Sequence, residues 1–176
     1  MTRDPITISL LGVPTPFARM RLSRGGIHYV PPEQRNAAAA LRIAAAEAMH
    51  HGGHAVLDEP LSLTLLAEFP VPASWSKKRR NLAILGQIRP GGRPDLSNVL
   101  KLAEDAFNGV VYRDDSLLVE VWCRKIFGVQ PKLVCTISPI FAAAKASATP
   151  PLTHPPPRAG EDKKQRPGEL PLGAAP

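Results

Sequence analysis

Four side chains within twenty-one residues carry the chemistry this sequence can offer: Asp95, Lys101, Asp114 and Asp115. They lie in one stretch, RPDLSNVLKLAEDAFNGVVYRDD, from Arg93 to Asp115. Carboxylates are the hard oxygen donors that Mg²⁺ takes, usually one or two of them with waters and a substrate phosphate. A metal held this way can activate a water and stabilise charge on a scissile phosphate. A nearby lysine can hold that phosphate or neutralise the leaving oxygen. The set therefore suits Mg²⁺-dependent attack on a phosphodiester, with Asp95, Asp114 and Asp115 as candidate metal ligands and Lys101 as the phosphate partner. From spacing alone the plainer roles stay open. Asp95 could be only a helix cap, the aspartate pair only a turn, and Lys101 only a solvated residue.

For that chemistry the head of one helix and an acidic bend downstream must share a pocket. Asp95 follows Pro94 and is placed to N-cap a helix. Leu96, Val99, Leu100, Ala103, Ala106 and Phe107 give the helix a buried stripe, and Ser97, Asn98, Lys101 and Asp105 a polar one. Asn108-Gly109 stops it. Val110 to Tyr112 reads as a short strand, Arg113 to Ser116 as a turn, Leu117 to Ile126 as a long strand, and Leu133 to Ile137 as the last strand. Upstream, Ile6 to Leu11 and Leu61 to Phe69 alternate as strands. Glu68 falls on the less apolar face of the second and could approach the acidic site. Between these two strands, Pro31-Pro32-Glu33 opens an alanine-rich helix reaching about Met49. The run His50-His51-Gly52-Gly53-His54 suits its C-terminal cap better than a zinc site, because no thiol or acidic partner is adjacent. The predicted class is α+β: a small mixed or antiparallel sheet packed against two main helices.

The basic residues gather in two places. Arg19, Arg21 and Arg24 precede a Gly25-Gly26 turn, after which Ile27 to Val30 pairs back as a hairpin. Lys77, Lys78, Arg79 and Arg80 follow Trp75 and form the densest cationic run. Such charges attract phosphates without reading sequence, and a tryptophan beside them can pack or stack. Either group could equally be an ordinary solvated surface. The formal net charge is +7, and the residues from Phe141 hold only five basic against three acidic groups, so residues 1–140 keep an excess of 17 over 12. That excess suits a polyanion. Cys123 and Cys135 are not a C-x-x-C pair and read as buried reduced thiols, which fits a cytoplasmic setting. No apolar run is long enough for a signal peptide or a membrane helix. From Phe141 onward Ala, Pro, Lys, Arg and Gly dominate, which predicts a disordered tail over 141–176 after a single folded domain over 1–140.

The stretch RPDLSNVLKLAEDAFNGVVYRDDSLLVE, with PVPASWSKKRR and IHYVPPE upstream, resembles the RusA family of Holliday junction resolvases. The joint order P-D-x-x-N-x-x-K, then D-A-x-N-G, then D-D-S is specific, and the likeness covers most of residues 6–138. The resemblance implies a RusA-like α+β fold and a homodimer that binds four-way DNA junctions. It also implies Mg²⁺-dependent paired nicking in DNA recombination and repair, with Mn²⁺ able to substitute and no small-molecule cofactor. Family members are often carried by bacteriophages and prophages. By position, Asp95 and Asp115 match the family's catalytic aspartates and Lys101 its catalytic lysine, with Asp114 beside Asp115. Some members carry a second aspartate two residues after the first, where this chain has Ser97. A hydroxyl brings no charge, so metal affinity should be lower. This departure keeps a second possibility open, a non-catalytic or weakly catalytic junction-binding protein.

Overall fold

The alternation in LSLTLLAEFP sets the centre of the fold. In the computed structural model, which describes residues 4–140, this segment is strand β4 (Leu61–Pro70). Leu61, Leu63, Leu65, Ala67 and Phe69 are all buried, and the residues between them face the other way. Burying one face of a strand needs neighbours on both edges. These are β6 (Lys132–Pro139), antiparallel to β4, and β5 (Leu118–Gly128), parallel to it. Strand β1 (Ile6–Leu11) closes the far side of β6, so the order is β1-β6-β4-β5. The sheet is mixed, and the α+β class holds.

A parallel pair cannot be joined by a tight turn, so β4 and β5 require a crossover. That crossover holds α2 (Lys77–Ile84) and α3 (Leu96–Phe107), and it is where the candidate residues lie. Helix α1 (Pro32–His51) and α3 pack against each other on the buried sheet face, with Leu41, Ala45, Val99, Leu102, Ala103 and Phe107 in the core. Alanines along α1 let the two helices approach closely. As expected, α1 ends at Gly52, and Gly53 adopts φ 61°, a left-handed conformation that glycine accommodates without strain. Among the described residues no group of three or more His, Cys, Asp or Glu side chains is arranged to hold a metal ion, and no helix is long and apolar enough to cross a membrane.

Two elements differ from the sequence expectation. The cationic run is the first half of a third helix, α2, where no helix was expected. Ser76 starts it, its hydroxyl accepting from the Arg79 N–H at 3.4 Å. Four consecutive cations conceal helical periodicity, because only Ala83 is buried in that helix. Val110 to Tyr112 is not a strand. It is a turn stitched to Leu57 by an isolated bridge, with Leu57 donating to Val111 and Arg113 donating back to Leu57. Val111 and Tyr112 are nevertheless fully buried. Their apolar pattern reports burial, which a strand and a packed turn share. The arginine hairpin exists as two minimal strands, β2 (Arg21–Leu22) and β3 (His28–Tyr29). The tail from Phe141 lies outside the described residues.

Candidate active site

Asp95 stands at the N-cap of α3 with extended backbone, yet its carboxylate makes no capping hydrogen bond. The sequence position is as expected, but the side chain is not spent on the helix. Both oxygens remain available at an exposed site beside the helix's positive end. Its loop is held from the sheet. Lys125 on β5 donates from Nζ to the carbonyls of Gly92 (2.6 Å) and Pro94 (3.0 Å). Nothing in the local sequence around Asp95 signals this tether, since it arrives from thirty residues away through the β4–β5 pairing.

A cleft of about 580 Å³ opens at Asp95, lined by Val13 to Pro16 on one side and by Arg93, Pro94, Asp95 and Asn98 on the other. The wall is fixed by the Phe17 N–H, which donates to the Asn98 carbonyl at 2.8 Å, and by the Ala18 N–H, which donates to the buried Gln34 side chain at 2.9 Å. Arg19, Arg21 and Arg24 follow in the chain and are exposed. A second cleft of about 530 Å³ shares Val13, Arg93 and Pro94 with the first and adds Trp75, Arg79, Arg89, Lys125 and Phe127. Arg79 lies 3.9 Å over the Trp75 ring, and Trp75 meets Phe127 edge-on at 5.3 Å. Trp75 therefore braces α2 against the sheet. Lys77 and Arg80 line a separate cavity with Gly128 and Val129. All four cations of the run are exposed.

Lys101 is exposed, with its Nζ 3.5 Å from Asp105 Oδ1 and 5.4 Å from the centre of the Phe17 ring. One turn on is Glu104, a residue outside the motif that marks Asp95 and Lys101. It is half-buried. Burial first, and then the neighbouring Asp115 carboxylate, push its carboxyl above the ordinary range, while Lys101 pulls it down. Asp115 begins the short 3-10 turn Asp115–Leu117 before β5, so the acidic bend comes alongside Glu104. Nine residues of α3 separate Asp95 from Glu104, about 13 Å of helical rise. Asp115 does not line the cleft at Asp95. The one signal for Glu104 in the sequence is its spacing, three residues after Lys101.

Asp114 takes a structural part. Its Oδ1 accepts from the Ser116 N–H at 2.9 Å, and hydrogen bonding to Ser116 lowers its pKa. Tyr112 anchors the bend from beneath, its buried hydroxyl donating to the Glu104 carbonyl at 3.1 Å. Glu68 is elsewhere. It lies 3.7 Å from Lys132 on the sheet face turned away from the helices, and its carboxylate fills the space over Gly128.

The donors fit Mg²⁺ in kind: Asp95 and Asp115 offer exposed carboxylate oxygens, and one or two such groups are what this ion usually takes from protein. Ser97, exposed in the first turn of α3, would add only a neutral oxygen. The arrangement is thus Asp95 beside Arg93 at the head of α3, in a cleft adjoining one lined by Arg79, Arg89 and Lys125, with Lys101, Glu104 and the Asp115 charge further along.

The family model described as endodeoxyribonuclease RusA matches residues 12–138. The chain is also 28% identical over 143 residues to the uncharacterized protein YqaN of Bacillus subtilis strain 168, an alignment covering 79% of this chain and 99% of that protein.

Proposed function

This chain belongs to the RusA endodeoxyribonuclease family, and from that premise we propose that it is a Mg²⁺-dependent, structure-selective endonuclease. Its substrate is the four-way DNA junction, which it resolves by paired symmetric nicks during recombination and repair in the cytoplasm. What carries this is the family match itself, which spans every candidate site residue from Arg19 to Asp115. The geometry supports it: a free carboxylate at a helix head, in a cleft lined by Arg93 and by Val13 to Pro16.

In this mechanism Arg19, Arg21, Arg24 and the α2 cations Lys77, Lys78, Arg79 and Arg80 bind the phosphate backbone and set its position without reading bases. Asp95 at the helix head and Asp115 at the bend would each offer a carboxylate to a metal, which when bound supplies an activated water and charge stabilisation at the scissile phosphate. Lys101 neutralises charge on the phosphate or on the leaving oxygen. A homodimer suits the substrate, because a symmetric junction presents two equivalent phosphates to two equivalent sites.

One alternative has an observation behind it. Ser97 replaces the second aspartate of some family members, and no third acidic group stands with Asp95 among the described residues. A junction-binding protein with weak or no cleavage would look the same in fold and surface. Nicking of a synthetic four-way junction, with and without Mg²⁺ or Mn²⁺, separates the two. The endonuclease nicks only with metal, and Asp95→Asn and Asp115→Asn abolish nicking while junction binding persists. Wild-type protein that binds the junction but never nicks it in either metal leaves only the binding role.

A further inference from the structure

Phe17 directly follows Val13 to Pro16, the wall of the cleft at Asp95. Two contacts tie it to α3. Its N–H donates to the Asn98 carbonyl at 2.8 Å, and the Lys101 Nζ stands over its ring, 5.4 Å from the centre. The ring is half-buried and packs against the core, and the next residue, Ala18, donates to the buried Gln34 of α1. Phe17 therefore has little freedom of its own. Lys101 has much more. Its side chain is 53% exposed and carries its charge on a flexible four-carbon stem. It pairs with Asp105 at 3.5 Å, four residues further along α3. In an exposed pair of this spacing, lysine before the acid is the weaker order on a helix, and the ammonium is held loosely. A cation within about 6 Å of an aromatic centroid is attracted to the ring face. The ring is thus a second restraint on the ammonium, and it comes from a different segment of the chain.

We propose that Phe17 is a positioning residue for Lys101. Its ring restrains the ammonium against the pull of Asp105, so that the charge is presented to the phosphate instead of being spent on the acid. Phe17 is bonded to α3 at Asn98, three residues before Lys101, whereas Asp105 lies farther along the helix from Asp95. Without the ring, Asp105 is left as the ammonium's partner on the side away from the helix head. A lysine already ordered has less conformational freedom to lose when the phosphate arrives, and a charge already in place costs no rearrangement during reaction. The ring touches no reacting atom and acts only through Lys101. This role rests on Lys101 being the phosphate partner of the proposed reaction. Simple core packing of Phe17 would need apolar bulk but not an aromatic face, and that difference separates the two roles.

Phe17→Leu keeps apolar bulk against the core and removes the ring, while Phe17→Tyr keeps the ring. Single-turnover nicking of a four-way junction in Mg²⁺, at saturating enzyme, is the first readout. Phe17→Leu slows it by on the order of tenfold with junction affinity unchanged, and Phe17→Tyr nicks near the wild-type rate. In a Lys101→Met background the group being positioned is gone, so adding Phe17→Leu costs nothing further. The second readout needs no activity. In NMR of the full chain with labelled lysine, without DNA or metal, the Lys101 ε-methylene signal is identified by its absence in Lys101→Met. It lies upfield through the Phe17 ring current, moves downfield in Phe17→Leu and stays upfield in Phe17→Tyr. An ε-methylene signal unmoved by Phe17→Leu, or a Phe17→Tyr chain that nicks as slowly as Phe17→Leu, overturns the assignment. A wild type that never nicks but shows the upfield signal, lost in Phe17→Leu, sinks the endonuclease and leaves the seat for Lys101 standing. An active nuclease indifferent to Phe17→Leu does the opposite.

Discussion

Lys125→Met tests whether the sheet positions Asp95. In the native chain the Lys125 ammonium spans the loop before α3, donating to Gly92 O at 2.6 Å and Pro94 O at 3.0 Å. Hydrogen bonds from a charged donor contribute about 1.5–3 kcal/mol each. Lys125 is only half-buried, so solvent replaces part of this, and the lower end applies to the pair together, about 2 kcal/mol. Methionine keeps most of the apolar stem, so packing beside Phe127 changes little. Urea unfolding should show that loss as a lower midpoint at constant slope. The larger consequence is for rate. Misplacing a reacting group by about 1 Å can cost on the order of 100-fold. Single-turnover nicking of a four-way junction at saturating enzyme should therefore fall by about 10- to 100-fold. Lys125 also faces the basic cleft, so its charge could serve binding alone. Saturation removes that contribution, and a defect that persists there is one of positioning. K125M protein that nicks at the wild-type rate under saturation, with an unchanged midpoint, would refute the tether.

Three further outcomes follow from the same structure. Neutralising Lys77, Lys78, Arg79 and Arg80 together should weaken junction binding and flatten its salt dependence, read from dissociation constants across a salt series. An unchanged slope removes α2 from the DNA surface. Ser97→Asp places a second carboxylate in the first turn of α3 and should lower the Mg²⁺ concentration needed for half-maximal nicking; no shift would mean that Ser97 does not limit metal binding. Burial, and secondarily Cys123, push the Cys135 thiol up to about 12, above its unfolded value of about 8.5. A folded pKa raised in this way contributes stability that is complete below about pH 8.5 and is lost as pH climbs towards 12. The urea midpoint of wild type should fall across that window, and Cys135→Ala should fall less steeply. Burial moves the Tyr112 hydroxyl upward too, so some slope will remain in the variant.

The sequence by itself determined the sheet and the principal helices, because burial on one face writes a period into the chain. Alternation in LSLTLLAEF and the apolar stripe of α3 need no tertiary knowledge to read. It also marked Asp95, Lys101 and Asp115, through a motif order that the family match spans. Elements lacking a periodic apolar stripe stayed hidden. Helix α2 buries one alanine, so its four cations read as a charged run. Val111 and Tyr112 are fully buried in their turn, which so imitates a strand.

Tertiary structure alone decided the surroundings of the candidate residues. The Lys125 tether, the approach of Glu104 to Asp115 and the freedom of the Asp95 carboxylate depend on how the β4–β5 crossover lays α3 across the sheet. Local sequence records which side chains are buried. Which of them meet is set by the register of a parallel pair whose strands lie almost fifty residues apart, and no short window contains that distance.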